Sequence, residues 1–303
     1  MNGHTHEHRF TQARIERAFA IGIALNVGFA AAEAAFGFIA GSLALLADAA
    51  HNLTDVLGLV LAWGAALLAQ RRPSPRFTYG MRISSIWAAM LNALVLLVVC
   101  GAMGWEAISR FTQPRPVQSL TVIAVAAVGV AINIATALAF ARGRQHDLNV
   151  RGAFMHMAAD AAVSLGVVVS GMLTLATGWL WLDPLATLAI VVVIVFGTWG
   201  LLRDSVSLGL NAVPSRIDPA VVRAWLEALA GVTEVHDLHI WAMSTSEVAL
   251  TAHLVMPGAQ VGDQFYEQVA HELEHRFGIH HATLQVERGD AGNPCKLSPE
   301  HVV

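Results

Sequence analysis

Asp48-Ala49-Ala50-His51-Asn52-Leu53-Thr54-Asp55 and, a hundred residues on, His156-Met157-Ala158-Ala159-Asp160 are the two runs on which the reading of this chain turns. Each lies in an otherwise apolar stretch of about 20 residues, the length a helix needs to cross a bilayer. Each sets a His and an Asp four apart, so both side chains leave the same face of a helix. Four residues advance about 6 Å along the axis, close enough for both groups to reach one ion. Ionisable groups at membrane depth are costly and mark function. Two such pairs supply two imidazoles and two carboxylates, the ligand number and type that a tetrahedral divalent ion takes. His51, Asp55, His156 and Asp160 are therefore the expected metal ligands. Asp48, three residues before His51 on nearly the same face, is either a proton or entry group or a capping and packing residue.

The surrounding composition agrees with a membrane setting. The 303 residues are 55% hydrophobic and only 13% charged, with a mean hydropathy of +0.57. A soluble domain carries about twice that charged fraction. Acids are sparse between Phe19 and Leu202, whereas the last third reads as ordinary soluble sequence. The expected division is a His-bearing tail over 1–17, a transport domain over 18–212, a cytoplasmic domain over 213–290 and a tail over 291–303. A net charge of −4 and a pI near 6.4 give no basis for nucleic-acid binding. Cys100 falls in a predicted membrane helix and Cys295 in the C-terminal tail, so no disulfide framework is expected. The polar start, Met1 to Gln12, and the length of the first apolar run argue against a cleavable signal peptide.

Six runs are long enough to span a bilayer, roughly 18–40, 43–69, 83–109, 120–141, 152–177 and 183–202. Gly41-Ser42, Arg71-Arg72-Pro73, Gln113-Pro114-Arg115-Pro116, the polar run from Arg142 to Asn149, and Gly178 with Asp183-Pro184 part them. An even number of crossings puts both termini on one side. Arg71, Arg72, Arg76, Arg82, Arg142 and Arg144 fall on that side, and only Arg110 and Arg115 on the other. By the positive-inside rule both termini are cytoplasmic. Asn26, Asn92 and Asn133 are expected to hydrogen-bond between helices. Glu33 and Glu106 sit near the outer helix ends, where either suits a water-filled path.

Zinc fits two imidazoles and two carboxylates best. Calcium and magnesium want more oxygens and no His. Cobalt, nickel, iron and cadmium share the ligand set with zinc. A ligand His must be neutral, so metal binding expels protons, and a site open alternately to each side then exchanges metal for protons. The rival readings are a membrane metalloenzyme, which needs an open coordination position, a metal sensor that binds without flux, and a carrier of another substrate. The first is disfavoured because four protein ligands leave no such position.

Ordered along nearly the whole chain are Asn26-x-x-Phe29-x-x-x-Glu33-x-x-x-Gly37, the run from Ser42 to Asp55, Phe77-Thr-Tyr-Gly80-Met-Arg82, the run from Asn149 to Asp160, Asp183-Pro184, and His236-Asp-Leu-His-Ile-Trp241. With these motifs the chain resembles the cation diffusion facilitator family, and within it the bacterial zinc/cobalt/cadmium efflux branch. The resemblance implies a homodimeric metal/proton antiporter of the bacterial inner membrane that exports zinc by alternating access, not an enzyme. It assigns His51, Asp55, His156 and Asp160 as the transport site. The loop between the second and third helices, where some members carry a further site, has no acid, His or Cys here, so none is expected in it.

The expected fold is thus an all-α membrane domain of six helices followed by a C-terminal α/β domain. In the latter, Asp218-Pro219 opens a helix running to about Ala230, strands follow at Glu234–Ala242 and Glu247–Met256, and a helix at Gln260–Phe277 precedes a strand at Ala282–Glu287. That α-β-β-α-β order is an open-faced, metallochaperone-like sandwich, which the family uses for dimerisation. The resemblance implies a regulatory zinc site there, with His236, His253, Asp263 and Glu287 as candidates, although Gln285 stands where some members have His. His239, His280 and His281 read as surface or structural residues. His271-Glu272-Leu273-Glu274-His275 matches a zinc-protease pattern. It lies on the polar face of its helix with fewer than 30 residues following, and reads as a solvated surface. His4, His6 and His8, with Cys295 as a possible companion, are expected to capture metal loosely.

Overall fold

The computed structural model describes residues 24, 27–141, 148–258, 261–289 and 295–298. The N-terminal His4, His6 and His8, and Asn26, lie outside the described residues. Five helices are long and apolar enough to cross a membrane: α2 (Leu43–Ala69), α3 (Ser84–Thr112), α4 (Ser119–Phe140), α5 (Leu148–Thr177) and α6 (Leu182–Gly209). A shorter apolar helix, α1 (Val27–Ala40), precedes them. Together they make the all-α membrane domain. The C-terminal domain follows as α7 (Pro219–Glu227), β1 (Glu234–Ala242), β2 (Val248–Val255), α8 (Asp263–Phe277) and β3 (His281–Glu287).

Several helices outrun the apolar stretches that announce them. α5 begins at Leu148, inside the run expected to be a polar linker, and α6 continues through Arg203 and Asp204 to Gly209. Hydropathy marks the length facing lipid, while backbone hydrogen bonds carry a helix on into the polar boundary. With 30 residues α5 is about 45 Å long, half again the hydrocarbon thickness.

The chain forms two compact units. One takes Asn92–Gly200 with the described residues up to Val60; the other takes Leu61–Leu91 with the described residues from Leu201 onward. In the first, Ala44, Leu45, Leu96, Val122, Val167 and Ile190 belong to one buried apolar cluster drawn from α2 to α6. Small residues bring the helices together: a Cβ on Gly129 of α4 would stand 2.7 Å from the Phe29 ring and 3.4 Å from Ser164 Oγ. The N-terminus of α2 is held from outside its own helix. Asp183, at the start of α6, accepts from Ser42 Oγ at 2.5 Å and from the Leu43 N–H at 2.8 Å. Arg110 donates to the Gly41 carbonyl at 2.5 Å. These bonds satisfy orphan groups at a helix start and set the position of the turns below it. Oδ1 of Asn92 and Nδ2 of Asn133 have no hydrogen-bond partner among the described residues, so those atoms do not make the expected interhelical bonds.

In the second unit a three-stranded sheet, ordered β1-β2-β3, pairs β1 and β2 antiparallel and β2 and β3 parallel. Val222 and Leu226 of α7, Ile240 of β1, Leu250 and Leu254 of β2, and Val269 and Leu273 of α8 make its core. Asp218 caps α7 by accepting from the Ala220 N–H at 2.9 Å, with Pro219 behind it, as the sequence predicts. Gly278, with φ of 66°, closes α8 in the left-handed conformation that only glycine adopts cheaply. His271 and His275 lie exposed on α8, opposite buried Val269 and Leu273. Within this unit Arg82 pairs with Glu247 at 2.6 Å, and the Thr245 N–H donates to Ser85 Oγ at 3.1 Å. The turn between β1 and β2 is thereby joined to the start of α3.

Candidate functional site

α2 carries His51 and Asp55 one turn apart, and α5 carries His156 and Asp160 likewise. The structure brings these sequence-chosen residues together. His51 Nε2 stands 3.7 Å from Asp55 Oδ2 and 3.6 Å from Asp160 Oδ1. His156 Nε2 stands 3.2 Å from Asp55 Oδ2 and 3.5 Å from Asp160 Oδ2. Two atoms bound tetrahedrally at zinc–ligand lengths are about 3.4 Å apart. Asp55, His156 and Asp160 each bring one ligand atom within 4.8 Å of the others, the spacing of a metal-binding group, while His51 borders the two carboxylates but stands outside that group. The imidazole centroids are 6.2 Å apart. Asp160 is buried and His156 nearly half-exposed, so the cluster has one closed and one open side.

Buried carboxylates flank this cluster. Asp48 is fully buried and accepts from Ser164 Oγ of α5 at 2.7 Å, so it bonds across the helix pair instead of capping its own helix. Glu33 of α1, also fully buried, accepts from Asn52 Nδ2 at 3.2 Å and neighbours Asp48. Sequence reading left Glu33 beside a water path and passed over Ser164 and Asn52. The available signal was position: Ser164 follows Asp160 by four residues, and Asn52 follows His51 directly.

A second cluster forms on the sheet of the C-terminal domain. His236 of β1 and His253 of β2 are direct cross-strand partners, and β3 brings Gln285 opposite His253 and Glu287 opposite Val255. Residues two apart on a strand share a face, so Glu287 reaches the pair. Its Oε2 is 3.4 Å from His236 Nε2 and its Oε1 3.0 Å from His253 Nδ1. Gln285 donates to Glu287 Oε1 at 2.9 Å. Burial works against the Glu287 charge, but the Cys295 thiol, the Gln285 amide and the two imidazoles outweigh it and hold the carboxyl below the usual range.

Asp263 is not in this cluster. It is the exposed first residue of α8, where an acid complements the positive end of the helix dipole. Cys295 stands in the cluster instead, with Sγ 3.5 Å from His253 Nδ1. A bulge in β1 between His236 and His239 turns Asp237, at φ of 49°, so that its carboxylate meets His239 at 2.9 Å and His253 Nε2 at 3.4 Å. Strict alternation would point Asp237 to the other face; the bulge re-aims it.

Several long apolar helices carrying a mixed imidazole–carboxylate cluster define the class as a multi-pass membrane protein. Residues 19–208 match the family model for the cation efflux transmembrane domain, and residues 214–289 match that for the cytoplasmic domain of cation efflux proteins. The chain belongs to the cation efflux family, the cation diffusion facilitators that its motifs resemble; these are transporters and not enzymes. It is 34% identical to the cation efflux system protein CzcD of Alcaligenes sp. (strain CT14), over 98% of this chain and 95% of that one. It is 33% identical to the zinc transporter ZitB of Escherichia coli (strain K12), over 97% and 96%. Identity is 30% with the cadmium, cobalt and zinc/H(+)-K(+) antiporter of Bacillus subtilis (strain 168), over 92% and 91%.

Proposed function

We propose that this protein exports a divalent transition-metal ion, zinc first, from the cytoplasm in exchange for protons, holding the ion between His51, Asp55, His156 and Asp160. The observation that carries the reading is the convergence of these groups from α2 and α5 at edges of 3.2 to 3.7 Å. The ligand chemistry favours zinc over oxygen-seeking cations, and cobalt, nickel, iron and cadmium compete for it. Relatives described as a zinc transporter and as a cadmium, cobalt and zinc antiporter support that substrate class. Binding requires neutral imidazoles, so loading expels protons and unloading takes them up again. Asp48, bonded to Ser164 one turn from the cage, is the accessory proton group.

The protein works as a homodimer in the bacterial inner membrane with both termini in the cytoplasm, a reading supported by the match to the family's cytoplasmic domain and by the arginine distribution. His236, His253 and Glu287 hold a regulatory zinc ion in that domain. Both ring nitrogens of His236 are buried without a hydrogen-bond partner among the described residues and face carboxylates, an environment that a cation would satisfy. Metal uptake into inside-out vesicles under an imposed pH gradient tests the transport reading, with each metal offered to the parent, His156→Ala and Asp55→Ala. Uptake is expected in the parent and not in the variants. Binding without flux in the parent would make the protein a sensor, and undiminished uptake by both variants would remove the site.

A further inference from the structure

Cys295 lies far along the chain from His236 and His253, yet one ligand atom from each of His236, His253, Glu287 and Cys295 lies within 4.8 Å of the rest. The edges that bear on a metal are 3.4 Å for His236–Glu287, 3.0 Å for His253–Glu287 and 3.5 Å for His253–Cys295. Tetrahedral zinc spaces nitrogen, oxygen and sulfur ligands by about 3.3 to 3.6 Å. The cysteine does not stand alone. His236 is nine-tenths or more buried, its ring nitrogens lack any hydrogen-bond partner among the described residues, and its Nε2 faces the same centre.

The groups behind the ligands are those a metal site needs. Asp237 Oδ2 meets His253 Nε2, leaving Nδ1 to face Glu287 and Cys295. Glu234 Oε1 lies 3.3 Å from His236 Nδ1, leaving Nε2 inward. Carboxylates on the far nitrogen fix the tautomer and ring orientation of ligand histidines. A non-glycine residue with positive φ, as at Asp237, is strained backbone that persists where surrounding structure requires it.

We propose that the Cys295 thiolate is the fourth ligand of this cluster, closing it into a four-coordinate His-His-Glu-Cys zinc site contained in one protomer, so that metal occupancy clamps the C-terminal tail to the sheet. The inference rests on the reading of His236, His253 and Glu287 as a metal site. Three protein ligands would leave a position for water, as in catalytic sites, whereas four make a closed one. A thiolate selects zinc, cadmium and cobalt against magnesium, calcium and manganese. The turn of 295–298 is placed for this role: the Ser298 N–H donates to the Cys295 carbonyl, and Ser298 Oγ donates to Glu234 at 3.4 Å, the carboxylate beside His236.

Cobalt titration of the full-length, metal-stripped protein in detergent tests this, in a Cys100→Ser background that leaves Cys295 as the remaining thiol. A near-ultraviolet sulfur-to-cobalt charge-transfer band is expected on loading. Cys295→Ser should abolish that band and weaken cobalt binding at the site roughly 100-fold, about the loss of one ligand in four. Cys295→His should restore affinity without the band. A band that persists in Cys295→Ser, or that never forms although one bound ion per chain is lost on His253→Ala, overturns the role of Cys295 and leaves the cluster standing. If His236→Ala and His253→Ala leave cobalt stoichiometry unchanged, the cytoplasmic site itself falls, and Cys295 with it.

Discussion

The intramembrane and cytoplasmic clusters use similar side chains and are built differently. In the membrane domain the proposed ligands come from helix i, i+4 pairs, one side is open, and the Nδ1 of His51 is buried with no hydrogen-bond partner among the described residues. On the sheet the histidines are cross-strand neighbours, Asp237 Oδ2 stands 3.4 Å from His253 Nε2, Glu234 Oε1 stands 3.3 Å from His236 Nδ1, Gln285 donates to Glu287, and Cys295 of the tail stands beside His253. Outer partners fix ligands and raise metal affinity. A transport site must bind and then release its ion as the helices shift, so an imidazole free of an outer anchor suits it. A site that senses or clamps gains from the opposite arrangement. The two clusters thus differ most at His253, whose far nitrogen faces Asp237, a partner that His51 lacks.

That contrast can be broken most severely at the membrane cage. Asp160→Ala removes a proposed ligand that is almost wholly buried, and metal flux into vesicles should fall at least 100-fold. The same variant should bind one cobalt per chain at the cytoplasmic cluster as tightly as the parent. If it loses both, the sites are not independent and the contrast fails.

The outer shell is the next target. Asp237→Asn keeps the shape and removes the charge behind His253, so zinc affinity of the cytoplasmic cluster should fall roughly 10- to 100-fold. Flux at saturating metal should be unchanged. Competition with a chromophoric chelator measures the first and vesicle uptake the second; equal losses in both would show that Asp237 acts on the whole domain.

A smaller effect is expected at Ser164. Its removal leaves the buried Asp48 carboxylate without that donor, which should cost about 1–3 kcal/mol. Thermal unfolding in detergent should register it, with Ser164→Thr close to the parent. An unchanged midpoint for Ser164→Ala would mean that another donor takes over. Smallest is the pair of Arg82 and Glu247, both partly exposed. A double-mutant cycle should give a coupling below about 1 kcal/mol, and a larger value would show that this link bears on stability beyond an ordinary surface pair.

Much of this was legible along the chain. Periodicity and apolar length specify the helices, and the strands fall where alternation predicts, with β1 at Glu234–Ala242. The His/Asp pairs on α2 and α5 were legible too, because a helix fixes the relation between residues four apart and needs no tertiary knowledge. Helix ends were read less well: α7 stops at Glu227 although Ala228-Leu229-Ala230 continue the apolar pattern, and α8 starts only at Asp263, because side-chain periodicity does not record where backbone hydrogen bonding ends.

What the sequence by itself determined is whatever depends on local geometry: six apolar runs, an α-β-β-α-β tail, and His/Asp pairs on single helix faces. What only the tertiary structure decided is whatever depends on register and long-range return of the chain. The pairing of His236 with His253 follows from strand register, the turning of Asp237 from a one-residue bulge, and the exchange of Asp263 for Cys295 from where the tail comes back to the sheet. Such contacts join residues of different strands and of the tail, and no local propensity records them. They are set by which buried faces must pack together, a property of the whole fold.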